Sequence, residues 1–202
     1  MNTLETEPID IFQRQLDQMR PELTQAIRPH LNVDRFIQAT ADAIERNPAL
    51  LICDRRDLTC RVMEAARLGL MLGDRAYLVP RRDGSVKLRA TYRGLVSLIR
   101  QQPSIAVIFA DTVCSRDLFA WNEATGEFTH EEADEDRGKP IRYYARVKWQ
   151  ETGTWETDVV DADEYGAREG PDTLGLKLVL LGLCRRVGLV PARGLTWEAA
   201  GL

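Results

Sequence analysis

The stretch Ile141-Arg-Tyr-Tyr-Ala-Arg-Val-Lys-Trp149 alternates between two kinds of side chain. Its odd-numbered positions are apolar or aromatic, whereas its even-numbered positions carry three cations and one tyrosine. Successive side chains of a β-strand point to opposite faces, so this period of two predicts a strand with one apolar and one basic face. The basic face comprises Arg142, Tyr144, Arg146 and Lys148.

A second alternating stretch runs from Val86 to Arg93, with apolar or aromatic residues at its even positions and Lys87, Arg89, Thr91 and Arg93 between them. The preceding Arg82-Asp-Gly-Ser85 is typical of a tight hairpin, because glycine accepts the positive φ that such a turn needs. We therefore expect residues 76–80 to pair with this strand. A helix from about Arg93 to Gln101 is predicted to follow it and to end before Pro103.

Helical spacing characterises the first third and the end of the chain. An apolar stripe, interrupted by Pro21, predicts two short helices or a kink. Asn32 and Asp57 are candidate N-caps of the next two helices, and Gly69 lies near the end of the second. The segment Leu174–Val187 is predicted to be a helix, apolar nearly all round and therefore buried on several sides.

The remaining segments predict further strands. These are an apolar run at 105–113, a hairpin around Thr125-Gly126 and a last strand at 154–160, with an acidic, mobile loop at 131–140. The resulting order is helices, then an antiparallel β-meander with one inserted helix, then a closing helix. This order predicts the α+β class rather than βαβ units.

The formal net charge of −4 hides a strong segregation of charge. Residues 75–100 contain seven bases and one acid, whereas residues 122–139 contain seven acids and two bases. Binding follows the local potential, so the basic segment is more informative than the total. No apolar stretch approaches the ~20 residues that span a bilayer, and the four cysteines show no close pairing. Because residues 1–10 are acidic and contain no apolar segment, we expect no secretory signal. We expect a cytoplasmic protein without membrane partners.

The sequence lacks the motifs of several common metal, nucleotide and hydrolase sites. The two histidines, His30 and His130, are far apart, and there is no Cys-x-x-Cys, no Gly-Lys-[Ser/Thr] phosphate loop and no Gly-x-Ser-x-Gly elbow. We predict no catalytic residue, no metal and no cofactor. A carboxylate cluster keeps a Mg²⁺-dependent nuclease open as an alternative to a solvated strand end. Its members are Asp158, Asp161, Asp163 and Glu164.

The two basic strand faces suggest a nucleic-acid groove. If both strands belong to one sheet, their cations merge into a groove that neutralises successive phosphates, and aromatic rings offer stacking surfaces. Such a groove binds the backbone without recognising base sequence. The alternative is an ordinary solvated outer face, where lysine and arginine are also common.

One block of the sequence resembles a known family. The stretch Ala65-Ala-Arg-Leu-Gly-Leu-Met-Leu-Gly-Asp-Arg-Ala-Tyr-Leu-Val-Pro80, followed by Tyr92-Arg-Gly-Leu-Val-Ser-Leu98, resembles the core of the RecT (Redβ-like) family of single-strand annealing proteins. The segments Asn47-Pro-Ala-Leu50 and Cys53-Asp54 fit its helical region. Near the end, Leu183-Cys-Arg-Arg-Val-Gly-Leu-Val-Pro191 resembles its Arg-Arg helix and exit. The resemblance extends from about residue 31 to residue 191.

The resemblance implies a phage or prophage recombinase that anneals single-stranded DNA to its complement without ATP or catalysis. It implies a homo-oligomer, ring or helical filament, and a partner exonuclease or single-strand binding protein. We expect residues 31–191 to form one annealing core, residues 1–30 a helical segment for subunit contact, and residues 192–202 a short remnant of a tail. The predicted DNA contacts are Arg81, Arg82, Lys87, Arg89, Tyr92, Arg93, Arg142, Tyr144, Arg146, Lys148, Lys177, Arg185 and Arg186. Among these, the family implies Tyr92, Arg93, Arg185 and Arg186. A protein that coats DNA without annealing it, and a structural oligomer without a nucleic-acid role, remain alternatives.

Overall fold

The computed structural model describes residues 8–165 and 173–187. A run of helices is followed by antiparallel strands with one inserted helix and then by a last helix, which confirms the predicted α+β class. The chain forms two compact units whose division lies between Gly94 and Leu95. The predicted domain boundaries at residues 30 and 191 stay predictions.

In its described residues, the first unit contains four helices and a hairpin around a buried core that includes Phe12, Leu23, Phe36 and Ile44. Two short helices are present as predicted, and Pro21 lies in the first turn of the second one. The Asn32 side chain caps the third helix, also as predicted. The elements are α1 (Pro8–Gln18), α2 (Arg20–Ala26), α3 (Val33–Glu45), a 3₁₀ turn (Pro48–Ile52), α4 (Arg55–Leu68), β1 (Ala76–Pro80) and β2 (Val86–Ala90).

The start of α4 corrects one prediction. Its N-cap is Asp54, whose carboxylate accepts a hydrogen bond from the Asp57 amide at 2.8 Å. Asp57 lies in the first turn instead, and its own carboxylate accepts from the Val86 amide at 2.5 Å. Asp57, the predicted cap, therefore connects α4 to β2 by a hydrogen bond. Gly69 ends α4 in the left-handed conformation, as predicted.

The strand β2 is shorter than predicted, because α5 (Tyr92–Ile99) begins directly after it. The Thr91 amide donates to the Arg75 carbonyl, and the Thr91 hydroxyl accepts from the Gly94 amide at 3.2 Å. These bonds turn the chain into the helix. Arg93 consequently lies in the first turn of α5 and not on the pleat that holds Lys87 and Arg89.

The second unit is built on a three-stranded antiparallel sheet with the order β3-β6-β7. The predicted hairpin around Gly126 and the predicted long strands are all present. The elements are β3 (Ile105–Cys114), β4 (Leu118–Trp121), β5 (Phe128–Glu131), β6 (Pro140–Trp149), β7 (Trp155–Asp161), a 3₁₀ turn (Ala162–Tyr165) and α6 (Thr173–Arg186).

The last helix, α6, covers one face of this sheet. A Cβ at Gly175 would lie 2.2 Å from the Tyr143 ring, and one at Gly182 would lie 2.5 Å from the Asp158 carboxylate, so both glycines allow close approach. Tyr143 and Asp158 belong to the face that includes Ala145 and Val147. The alternating cations of β6 therefore lie on the opposite face. Burial of α6 agrees with its apolar sequence.

The predicted acidic loop is anchored by a buried carboxylate. Asp117, whose side chain is fully buried, accepts hydrogen bonds from Arg137, from two backbone amides and from His130, whose Nε2 lies 3.2 Å away. The Arg137 guanidinium and these amides hold the pKa of Asp117 well below its usual range. Nδ1 of His130 lies 3.0 Å from the Tyr144 hydroxyl, which connects this Asp117 cluster to β6.

Candidate nucleic-acid interface

The first group of predicted contacts lies on the β1–β2 hairpin. Val86, Leu88 and Ala90 are buried, whereas Lys87 and Arg89 lie between them on the half-exposed face. Neither cation forms an ion pair with any described residue, and the exposed Arg81 and Arg82 lie in the turn. Tyr77, the register partner of Arg89 across the hairpin, is 43% exposed.

Tyr92 and Arg93 begin α5. The Arg93 guanidinium lies 5.9 Å from the centroid of the Tyr92 ring, and its Nη1 is 3.4 Å from a carboxylate oxygen of Asp74. A phosphate that binds Arg93 therefore competes with an exposed aspartate.

On β6, the four predicted residues share one face but differ in their solvent exposure and in their side-chain partners. Arg142 is exposed and pairs with Asp161 at 2.7 Å, whereas Lys148 is half-buried and lies opposite Trp155 of β7. Tyr144 is only 3% exposed, because Phe119, Phe128 and His130 of the β4–β5 hairpin pack around it. Its predicted role as a stacking surface does not fit this burial, which also raises the pKa of Tyr144 to about 12.

Arg146 occupies the most defined environment of this face. Its guanidinium lies 4.0 Å from the centroid of the Phe128 ring and 4.5 Å from that of Trp155, and its Nε donates to the Thr157 hydroxyl. Burial lowers the pKa of Arg146, although arginine remains charged at neutral pH. No carboxylate of the described residues pairs with it. Arg146 is thus a fixed, partly desolvated cation without a protein counter-ion there.

The basic residues of α6 are placed differently from the prediction. Lys177 is buried, so its ammonium does not reach an external phosphate in this conformation. Arg186 pairs with Asp158 at 2.6 Å and with Glu123 at 3.2 Å, which ties α6 to β7 and to the turn between β4 and β5. Arg185 is exposed. The predicted exit at residues 188–191 lies outside the described residues.

The two basic strands do not belong to one sheet. β2 pairs with β1 in a two-stranded sheet, whereas β6 is the centre of the three-stranded sheet. The predicted groove required both basic strands to lie in one hydrogen-bonded sheet, and they do not. Each unit presents its own cations, and each set has an exposed aromatic residue on the paired strand.

The carboxylates that suggested a Mg²⁺ site do not all lie on one face of β7. Asp158 faces α6 and pairs with Arg186, whereas Asp161, three residues later, pairs with Arg142 on the opposite face. Among the described residues, no group of three or more His, Cys, Asp or Glu side chains is arranged to hold a metal ion. In the same residues, no helix has the length and apolar character needed to cross a bilayer.

Comparison with known families places this geometry in context. The model of the RecT family matches residues 34–177, a range that includes β2, the start of α5 and all of β6. The chain belongs to the RecT family. Protein RecT of Escherichia coli (strain K12) is 28% identical over 147 residues, which cover 67% of this chain and 55% of that protein. The chain thus spans about half the length of this curated relative.

Membership of the RecT family confirms the resemblance noticed in residues 65–80 and 92–98. The Arg185-Arg186 pair lies beyond the matched range. Sequence reasoning missed Tyr77, Phe128 and Trp155, because each contributes its ring from a strand other than the one with the cations. These rings reach the cations only through the register between neighbouring strands, and the sequence of a single strand does not reveal that register.

Proposed function

We propose that this protein binds single-stranded DNA and anneals it to a complementary strand in phage-type homologous recombination. The supporting observation is the contrast among its arginines and lysines. Arg142 and Arg186 are paired with carboxylates, whereas Lys87, Arg89, Arg146 and Lys148 have no carboxylate partner among the described residues. Cations of this kind gain most from a phosphate, because binding releases counter-ions without breaking an internal pair.

The proposed mechanism needs neither ATP nor a covalent step. The cations hold the sugar–phosphate backbone, which leaves the bases free to test a second strand, and base pairing supplies the driving force. Assembly into a ring or helical filament makes weak sites along one strand act together. Subunit contact through residues 1–30, a cytoplasmic location, and a partner exonuclease or single-strand binding protein belong to the same proposal.

A strand-addition experiment tests annealing directly. The protein is mixed with a fluorophore-labelled oligonucleotide, and a quencher-labelled complement or non-complement is then added without ATP. We expect rapid quenching with the complement alone, faster than for the two oligonucleotides without protein. Pairing that is slower with protein than without it would indicate that the protein only coats DNA.

The double substitution Lys87→Ala/Arg89→Ala is expected to weaken oligonucleotide binding roughly tenfold, because two phosphate contacts are lost. The slope of log affinity against log salt concentration should fall by about 1.4, since each contact to single-stranded DNA contributes about 0.7. Fluorescence anisotropy at several salt concentrations measures both quantities.

The matched control is Arg56→Ala/Arg116→Ala, which removes the same net charge from exposed positions outside the predicted set and outside residues 1–30. It should leave the salt slope nearly unchanged. Equal effects of the two double variants would show that net charge, and not the β2 face, governs binding.

A further inference from the structure

Trp155 is an aromatic residue whose surroundings suit a nucleobase. It begins β7, one of the two edge strands of the three-stranded sheet, and is 38% exposed. Its register partner is Lys148, whose ammonium lies 5.8 Å from the centroid of the indole ring. An exposed tryptophan beside two cations offers a flat surface on which a base can stack.

The ring is held in place by its neighbours. The Arg146 guanidinium lies 4.5 Å from its centroid, and Phe109 of β3 packs edge-on at 5.8 Å. Phe128 covers Arg146 in turn at 4.0 Å, and the Nε bond to Thr157 fixes the guanidinium. Little conformational freedom remains to be lost on binding, so this surface is preorganised.

We propose that Trp155, Arg146 and Lys148 form a subsite for one nucleotide unit of single-stranded DNA. The indole stacks on the base, and the two cations bind the phosphates on either side of it. Every base has a π-face, so the subsite accepts any sequence. This inference rests on the proposed function and assigns part of it to a residue outside the basic strand.

The partly buried position strengthens the electrostatic part of this subsite. A cation with a desolvated surface interacts with a phosphate in a lower effective dielectric and is screened less by salt than a fully exposed one. Burial of Arg146, which also lowers its pKa, puts it in this category, and it has no carboxylate partner among residues 8–165 and 173–187. Lys148 supplies a second cation on the same face.

Fluorescence of Trp155 provides the test. The chain has four tryptophans, so Trp121, Trp149 and Trp197 are replaced by phenylalanine to leave Trp155 as the reporter. This variant is titrated with an oligothymidine and with an abasic oligonucleotide of equal length, while anisotropy of a dye on the DNA records binding. We expect saturable quenching by the oligothymidine, and binding of the abasic strand without that quenching. Equal quenching by both strands would overturn the subsite.

Substitution in the otherwise unchanged protein gives a second measurement. Trp155→Ala should weaken oligothymidine binding roughly tenfold, which corresponds to the loss of one stacked base, and should leave binding of the abasic strand unchanged. Trp155→Phe should restore most of the affinity, and Trp121→Ala, in the β4–β5 hairpin, should not change it. Equal losses for oligothymidine and abasic DNA, or an equal loss in Trp121→Ala, would refute stacking on Trp155.

The failure of this inference is distinguishable from failure of the proposed function. If the unchanged protein binds and anneals oligonucleotides but Trp155→Ala behaves like it with both strands, the subsite is wrong and annealing stands. If the unchanged protein binds no oligonucleotide, the proposed function itself fails.

Discussion

Replacing Asp117 with alanine is expected to lower the free energy of unfolding by about 2–4 kcal/mol, because two backbone amides and Arg137 lose a buried acceptor. The carboxylate is fully buried and lies 2.7 Å from Nη2 of Arg137. It also accepts from the amides of Cys114 and Ala133. The substitution leaves these donors without their acceptor, and the 131–140 loop loses its anchor. Urea unfolding followed by circular dichroism measures the loss.

Asp136→Ala is the matched control for Asp117→Ala, because it removes a carboxylate from the same loop. Asp136 pairs with Arg116 at 2.9 Å, but both side chains are more than 60% exposed. Solvent-exposed pairs contribute about 0–1 kcal/mol, so this variant should unfold at nearly the urea concentration of the unchanged protein. Comparable losses in the two variants would contradict the role assigned to the Asp117 cluster.

The same carboxylate predicts a dependence of stability on pH. The pKa of Asp117 is depressed in the folded chain, mainly by Arg137, whereas in the unfolded chain it returns to about 3.9. Its contribution to stability is therefore fully present above the unfolded value and is lost as the pH falls below it. The unchanged protein should lose stability more steeply than Asp117→Ala on acidification from about pH 5 to pH 2. Parallel curves would show that Asp117 is not responsible.

Gly94→Ala is expected to destabilise the protein by about 3 kcal/mol, at the upper end of the usual cost of overpacking. A Cβ at this position would lie 2.0 Å from the Arg75 carbonyl oxygen, which is backbone and cannot rotate away. That carbonyl accepts the Thr91 amide at 2.9 Å, the bond that turns the chain from β2 into α5. Separating the two segments therefore also weakens this bond. Thermal and urea unfolding measure the effect.

Gly84→Ala is the control for Gly94→Ala, because it tests backbone strain at a position where a Cβ has room. Gly84 has a φ of +80°, and a Cβ there would have no atom within 4 Å. Alanine at that position should cost only about 1 kcal/mol, for the left-handed conformation. If Gly94→Ala unfolds at the same urea concentration as Gly84→Ala or later, the close approach to Arg75 is not a constraint on stability.

Much of the local structure was predictable because short-range rules decide it. The alternation in residues 141–149, the Asp83-Gly84 turn and the Asn32 cap all depend on neighbours within a few positions. The start of α4 was not predictable in this way, since Asp54 and Asp57 are both suitable caps. The contact of Asp57 with the amide of Val86, a residue distant in sequence, distinguishes them.

The candidate site was predictable only in part. The period of two correctly placed Arg142, Arg146 and Lys148 on one face, and the position of Lys87 and Arg89 agrees with the same rule. Burial was not predictable from that period. The β4–β5 hairpin packs on Tyr144, a residue type of intermediate burial, and Lys177 of α6 is buried although lysine is ordinarily exposed.

By itself, the sequence determined which side chains share a strand face, where the turns are and to which family the chain belongs. These follow from backbone geometry and local hydrogen bonds, which act over a few residues. The tertiary structure alone decided which cations keep a carboxylate partner and which aromatic rings lie beside them. Asp161 reaches Arg142 and Trp155 reaches Arg146 only through the register of β6 with β7. Such register depends on packing between segments far apart in the chain, and no single segment specifies it.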